Sequence, residues 1–125
     1  MQNYHDSSNI LTLLAPLSRD ATANGSAIDV KDYVGKLKVV LQSTLGTGTD
    51  PTLDVTIEES ADGSTNWTAI SGAAFTQVTD GAAAVEAIGV SVDGAMRYIR
   101  AVATIDGTTP AFVCSVIAIG RKQIT

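Results

Sequence analysis

Side-chain catalysis needs a nucleophile, a base and a group that orients the base. This chain offers one histidine, His5, and one cysteine, Cys114. His5 stands in a polar opening stretch, Met-Gln-Asn-Tyr-His-Asp, where a terminal side chain is solvated and lacks preorganisation. Cys114 lies in Phe112-Val113-Cys114-Ser115-Val116, where a cysteine packs as a small hydrophobe and burial suppresses thiolate formation. The densest acidic stretch is Glu58-Glu59-Ser60-Ala61-Asp62-Gly63-Ser64. Neighbouring Glu58 and Glu59 point to opposite faces of a strand, so they do not form a carboxylate pair. Asp62-Gly63-Ser64-Thr65-Asn66 matches no calcium-loop spacing and reads as a polar hairpin held by an Asx turn. The sequence carries no Walker loop, G-x-G-x-x-G, C-x-x-C or H-E-x-x-H. Trp67 is the one aromatic residue whose setting could serve a ligand, by stacking on a sugar ring beside the Asp62-Gly63 turn; a Trp so placed more often closes the end of a sandwich core. The expectation is a protein that binds and assembles, with no enzymatic activity, cofactor, metal or small-molecule substrate.

The elements that would present such a surface are strands. Asp-Gly recurs at Asp62-Gly63, Asp80-Gly81, Asp93-Gly94 and Asp106-Gly107. Glycine accepts positive φ and Asp bonds nearby backbone N–H groups, so each pair is a hairpin signal. Between the turns apolar residues alternate: Leu53, Val55 and Ile57 against Thr52, Asp54, Thr56 and Glu58; Ile99, Ala101, Ala103 and Ile105 against Tyr98, Arg100, Val102 and Thr104. Lys36 to Gln42 alternates on Leu37, Val39 and Leu41, and Glu86 to Val92 does so more weakly. Phe112 to Ile119 is apolar on both faces apart from Ser115, as suits a central strand or one covered by a subunit. Ala82 to Ile88 favours helix by composition, but Gly81 and Gly89 bound it, so it reads as a loop entering a strand, with a single helical turn as the alternative. Regular spacing of turns predicts an all-β antiparallel sandwich of about eight strands.

Residues 1–27 have a different character. Ile10-Leu11-Thr12-Leu13-Leu14 is apolar, Pro16 interrupts any ladder, and a polar run with Asn24-Gly25 follows. This segment is either a first strand or an extended arm lying on a neighbouring molecule, ahead of a sandwich over 28–125.

Composition narrows the partners. A chain of 125 residues builds one core, and a single cysteine precludes an internal disulfide. Formal charge is −5, and the eight basic residues are scattered in sequence, which argues against nucleic acid. No apolar run reaches the roughly 20 residues a membrane helix needs. No basic n-region precedes an apolar segment, so secretory export is not expected.

Pro51 to Thr68, Ala74-Phe75-Thr76-Gln77-Val78, Arg97 to Thr104 and Phe112 to Gly120 together resemble small head proteins of tailed bacteriophages that act as capsid decoration, or cement, proteins. The resemblance spans about residues 28–122 and rests on packing and turn motifs. It implies a jelly-roll-like sandwich on the outer surface of the virion capsid, made in the host cytoplasm and standing as a homotrimer that clamps the major capsid protein. It brings no catalytic residues. The residues expected to meet partners are Ile10, Leu11, Leu13 and Leu14 near the start, and Val113, Ile117 and Ile119 near the end. A D-G-S-x-x-W turn also occurs in carbohydrate-binding sandwiches, and a tail or connector component could use the same fold.

Overall fold

Side chains on a strand alternate between two faces, and here the alternation decides which residues make the core. In Thr52–Glu58 the residues Leu53, Val55 and Ile57 are fully buried while Thr52, Asp54, Thr56 and Glu58 stay half-exposed. The computed structural model, which describes residues 8–123, places this stretch in β5 (Thr47–Ser60). In β4 (Tyr33–Ser43) Leu37, Val39 and Leu41 turn inward. In β8 (Tyr98–Lys122) the inward set is Ile99, Ala101, Ala103 and Ile105, then Phe112, Cys114, Val116 and Ala118. The other strands are β1 (Ser8–Arg19), β2 (Ala23–Asn24), β3 (Ile28–Asp29), β6 (Thr68–Ala74) and β7 (Ala84–Ser91). Every pairing is antiparallel, and the described residues include no helix. His5 lies outside them.

Two sheets face one another across the core. The first runs β1, the C-terminal half of β8, β4 and β7. The second runs β2 with β3, the N-terminal half of β8, β5 and β6. Apart from the β2–β3 link and the β5–β6 hairpin, the chain changes sheet at each connection, from β1 to β2 and β3, then β4, then β5 and β6, then β7, then β8. That is the double-sheet jelly roll, with its last two strands fused into β8. At the β7 side Glu86 accepts hydrogen bonds from the Thr76 N–H (2.8 Å) and hydroxyl (3.3 Å), drawing the open edges together.

The sheets are joined by a two-stranded ribbon that bends through a corner. The β4–β5 segment stays beside β8 throughout, from Ser43↔Cys114 through Thr47↔Ala111 and Thr49↔Thr108 to Thr52↔Asp106. Register shifts fall on both sides of Thr49, and Gly48, Asp50, Gly107 and Thr109 all take positive φ there. A Cβ at Gly48 would run into the Thr109 carbonyl oxygen. The expectation of a hairpin at Asp106-Gly107 is therefore corrected: this pair lies inside β8 and turns it from one sheet into the other. Asp80-Gly81 and Asp93-Gly94 do lie in connections, but those connections cross between sheets. Only Asp62-Gly63 closes a hairpin between paired strands, β5 and β6. Asp-Gly permits a sharp bend wherever it stands, and the overall topology decides whether that bend becomes a hairpin, a crossover or a corner within one strand.

The segment from Ser8 to Arg19 pairs along its own β8, from Ser8↔Arg121 to Arg19↔Phe112, so the fold uses it as an edge strand. Two register shifts, before and after Leu14, break its alternation. Both Leu13 and Leu14 are consequently buried, and Pro16 is tolerated because no described strand pairs beyond this edge. Ala84–Ser91 is strand, the helical alternative giving way because Val90 and Ile88 pack on the core.

The β5–β6 turn is organised by Asp62. One carboxylate oxygen accepts the Ser64 (3.0 Å) and Thr65 (2.9 Å) N–H groups, and the other accepts the Thr65 hydroxyl at 2.6 Å. The buried Ser60 hydroxyl donates to Asp62 at 2.9 Å. These bonds, the Thr65 hydroxyl first, hold the Asp62 carboxyl well below its ordinary value. A depressed folded value means the stabilisation is complete above the unfolded value, near 4, and fades as pH falls towards the folded one.

Two outcomes follow. Asp62→Ala should lower the melting temperature by a few degrees at neutral pH, and the gap from wild type should narrow below about pH 4 in thermal scans across acidic buffers. At Gly46 a Cβ would meet the Phe112 ring at 2.6 Å and Pro51 at 2.9 Å. Gly46→Ala should therefore cost about 1–3 kcal/mol, read as a lower urea midpoint at unchanged slope.

Candidate functional site

The two outer faces of the sandwich differ in chemistry. On the second sheet the outward positions are Asp54, Thr56 and Glu58 on β5, and Arg100, Val102, Thr104 and Asp106 on β8, with Val102 the one apolar side chain among them. Arg100 holds Glu58 at 2.8 Å and lies 4.4 Å over the Trp67 ring. Arg97 pairs with Asp29 at 2.9 Å, and the guanidinium, followed by the Lys31 N–H, lowers the Asp29 carboxyl from its usual value. Gln77 donates to Asp54 at 2.9 Å. This is a mostly polar, solvated face on which both arginines are matched by carboxylates.

On the first sheet the outward positions are set by cross-strand register. Ile10 stands opposite Ile119, and Thr12 opposite Ile117. Ile117 and Ile119 in turn face Val40 and Lys38, and Val40 faces Ala87 on β7. Direct antiparallel partners bring Cβ atoms to about 5 Å, so these side chains form one continuous stripe. Ile10 is 70% and Val85 73% exposed, and Val113 is 49% exposed. Val40, Ile117 and Ile119 are half-buried by one another. A shallow groove closes the Val85–Val113 end, with Gln42, Ser115 and Pro16 along it. Burial here is partial because the stripe packs only on itself, leaving apolar surface whose removal from water is worth about 25 cal/mol per Å².

The expected contact residues divide. Ile10, Val113, Ile117 and Ile119 share this outer face, while Leu11 is half-buried against the core. Leu13 (0% exposed) and Leu14 (2%) belong to the chain's own core and are withdrawn as contact residues, because the register shifts in β1 turn both inward. Val40, Val85 and Ala87 join the surface without having been singled out. Their signal was present in the alternation of β4 and β7, but which face of a strand is covered depends on the opposing sheet.

Trp67 is half-exposed on the polar second sheet and outside the core, correcting the expectation that it closes the sandwich end. One ring face is occupied by the Arg100 guanidinium, which Glu58 holds in place. Cys114 is buried, and that burial pushes its thiol up, with Arg19 opposing weakly. Glu58 and Glu59 diverge as expected, Glu58 to Arg100 and Glu59 accepting the Met96 N–H at 2.9 Å. The described residues contain no group of three or more His, Cys, Asp or Glu side chains placed to hold a metal ion.

One grouping was not legible in the sequence. Lys36, Lys38, Arg121 and Lys122, half of the eight basic residues, line a single groove at the end of the first sheet opposite Val85. The chain brings them together because the C-terminal half of β8 lies beside β4. No protein-family model matches the chain, and no curated protein matches it in sequence.

Proposed function

We propose that this protein is a structural virion component, a decoration or cement protein on the outer surface of an assembled phage head that ties neighbouring major capsid subunits together. The observation that carries the reading is the unpartnered apolar outer face of the first sheet, Ile10, Val40, Val85, Val113, Ile117 and Ile119, borne on a jelly roll whose opposite face is polar. Interfaces combine such apolar centres with polar rims. The resemblance of residues 28–122 to phage head proteins supplies the identity of the partner. A rigid binder that touches two or three coat subunits favours only their assembled arrangement, since each contact makes the next effectively intramolecular. In this reading the chain is made in the host cytoplasm and stands on the shell as a homotrimer at a local three-fold position, which meets that requirement.

A second reading, a glycan-binding module for host adhesion, draws on the half-exposed Trp67 beside the Asp62 turn. The Arg100 guanidinium over the ring leaves one face for a sugar. A tail or connector role would use the same fold in rings of six or twelve.

The test compares heads with and without the chain. Heads lacking it should lose integrity at lower temperature, and added protein should restore them; heads equally heat-resistant without it would remove the reading. Ile10→Asp with Val85→Asp should leave the melting temperature within a few degrees, because the two side chains are 70% and 73% exposed, yet weaken head binding at least about tenfold. Loss of glycan-array binding on Trp67→Ala, with head binding absent, would favour the adhesion module instead.

A further inference from the structure

Four cations stand together on a chain of net charge −5. Lys36 and Lys38 are exposed on β4 because the alternation that buries Leu37 and Val39 turns them outward. Arg121 and Lys122 arrive from the end of β8, which pairs with β4 at Val34↔Arg121 and Lys38↔Ile119. All four line one shallow groove, and among the described residues no carboxylate lines it. Neither ion pair found among the described residues, Arg97–Asp29 and Arg100–Glu58, involves them. Of the carboxylate residues near that end, Asp93 accepts the Gly35 N–H at 3.0 Å, and Asp32 adjoins Tyr33 with its backbone carbonyl accepting the Gln123 N–H at 2.7 Å; neither lines the groove.

Charge is also absent from the rest of this face in one sign only. Across the cross-strand registers of β1, β8, β4 and β7, the outward positions from Ser8 to Ser91 hold Lys36, Lys38 and Arg121 and no Asp or Glu. The acidic residues of the paired strands sit instead on the second sheet or at inward and edge positions, such as Glu86 on Thr76. The apolar stripe and the basic end are continuous, since Ile119 lies directly between Ile10 and Lys38.

We propose that this face is docked by a partner protein whose matching surface is apolar at its centre and carries carboxylates at the edge that meets Lys36, Lys38, Arg121 and Lys122. This deepens the docking reading above and rests on it. A second copy of the chain fits less well: an isologous contact puts the same residues on both sides, and overlap of the two basic ends sets like charges together. A phosphate backbone would satisfy the cations but leave Ile10, Val40 and Ile117 in water. An acidic-edged apolar surface satisfies both halves. Opposite charges at one end fix the orientation of docking and speed encounter in a salt-dependent way.

The experiment measures binding of the full chain to heads stripped of it, at low and high salt, for wild type and for Lys36→Glu/Lys38→Glu/Arg121→Glu. Carbodiimide coupling, which joins a lysine amine to a touching carboxylate, then maps the contact by mass spectrometry. The expected result is binding that weakens with salt, a loss of at least about tenfold in the triple variant at unchanged melting temperature, and links from Lys36, Lys38 or Lys122 to coat Asp or Glu. Salt-insensitive binding that survives charge reversal would overturn this inference and leave the decoration reading standing. Links from Lys36, Lys38 or Lys122 to another copy of the chain would overturn it in favour of self-association through this face. If wild type does not bind heads, the decoration reading falls. A short peptide alternating valine and glutamate then decides the inference: binding lost in the triple variant and absent with the valine–lysine counterpart supports it. No binding, or tighter binding of a single-stranded DNA oligonucleotide, overturns it.

Discussion

The antiparallel ribbon formed by β8 with the continuous β4–β5 segment is the constraint on which the remaining structure rests. Its hydrogen-bonded register runs through a corner from one sheet to the other, so both sheets share one set of strands. Each half of β8 is paired on both sides, which is why its core residues can be almost wholly apolar without exposing a strand edge. The corner itself is made possible by backbone that most residues avoid. Gly48 and Gly107 take positive φ freely, while Asp50 and Thr109 do so under the local demand of the bend. A β-branched residue in that region is costly, and it persists because the flanking ladders determine the path on either side.

Because the ribbon is central, the weaker elements are those added at its flanks. Strand β1 carries two register shifts and a proline, and β7 is held through β4 and the Glu86–Thr76 bonds. Short β2 and β3 cover one side of the second sheet. Irregular edges of this kind discourage uncontrolled strand pairing, a hazard that a regular, exposed ladder would invite. The outer face of the first sheet is a different matter. Its apolar stripe lies across the middle of a sheet with saturated backbone bonds, so contact there is made through side chains.

The asymmetry between the two outer faces gives the molecule a direction. On the second sheet the arginines are matched by Asp29 and Glu58, and the aromatic ring of Trp67 is covered from one side by Arg100. The more exposed of the two pairs, Arg97–Asp29, adds little stability, while Arg100–Glu58 is half-buried. Their effect is to make that face self-sufficient in water. The first sheet presents hydrocarbon and cations that form no ion pair among the described residues, and these gain most when another surface covers them. A rigid module with one satisfied and one unsatisfied face suits a role in assembly.

The strands and the all-β class were determined by the sequence itself, because period-two alternation in Leu53–Ile57, Leu37–Leu41 and Ile99–Ile105 buries the same residues wherever the strand lies. The Asx turn at Asp62 was equally local, its bonds spanning no more than three residues. What only the tertiary structure decided was adjacency. Whether Asp106-Gly107 makes a hairpin or a corner depends on which strand β8 pairs with beyond it. Leu13 and Leu14 both turn inward through the register shifts of β1 against its distant partner. Lys36 and Lys38 meet Arg121 and Lys122 because β4 and β8 are neighbours, a relation between segments about eighty residues apart that no local pattern encodes. Alternation is a property of a few consecutive residues, whereas a surface is assembled from strands far apart in the chain.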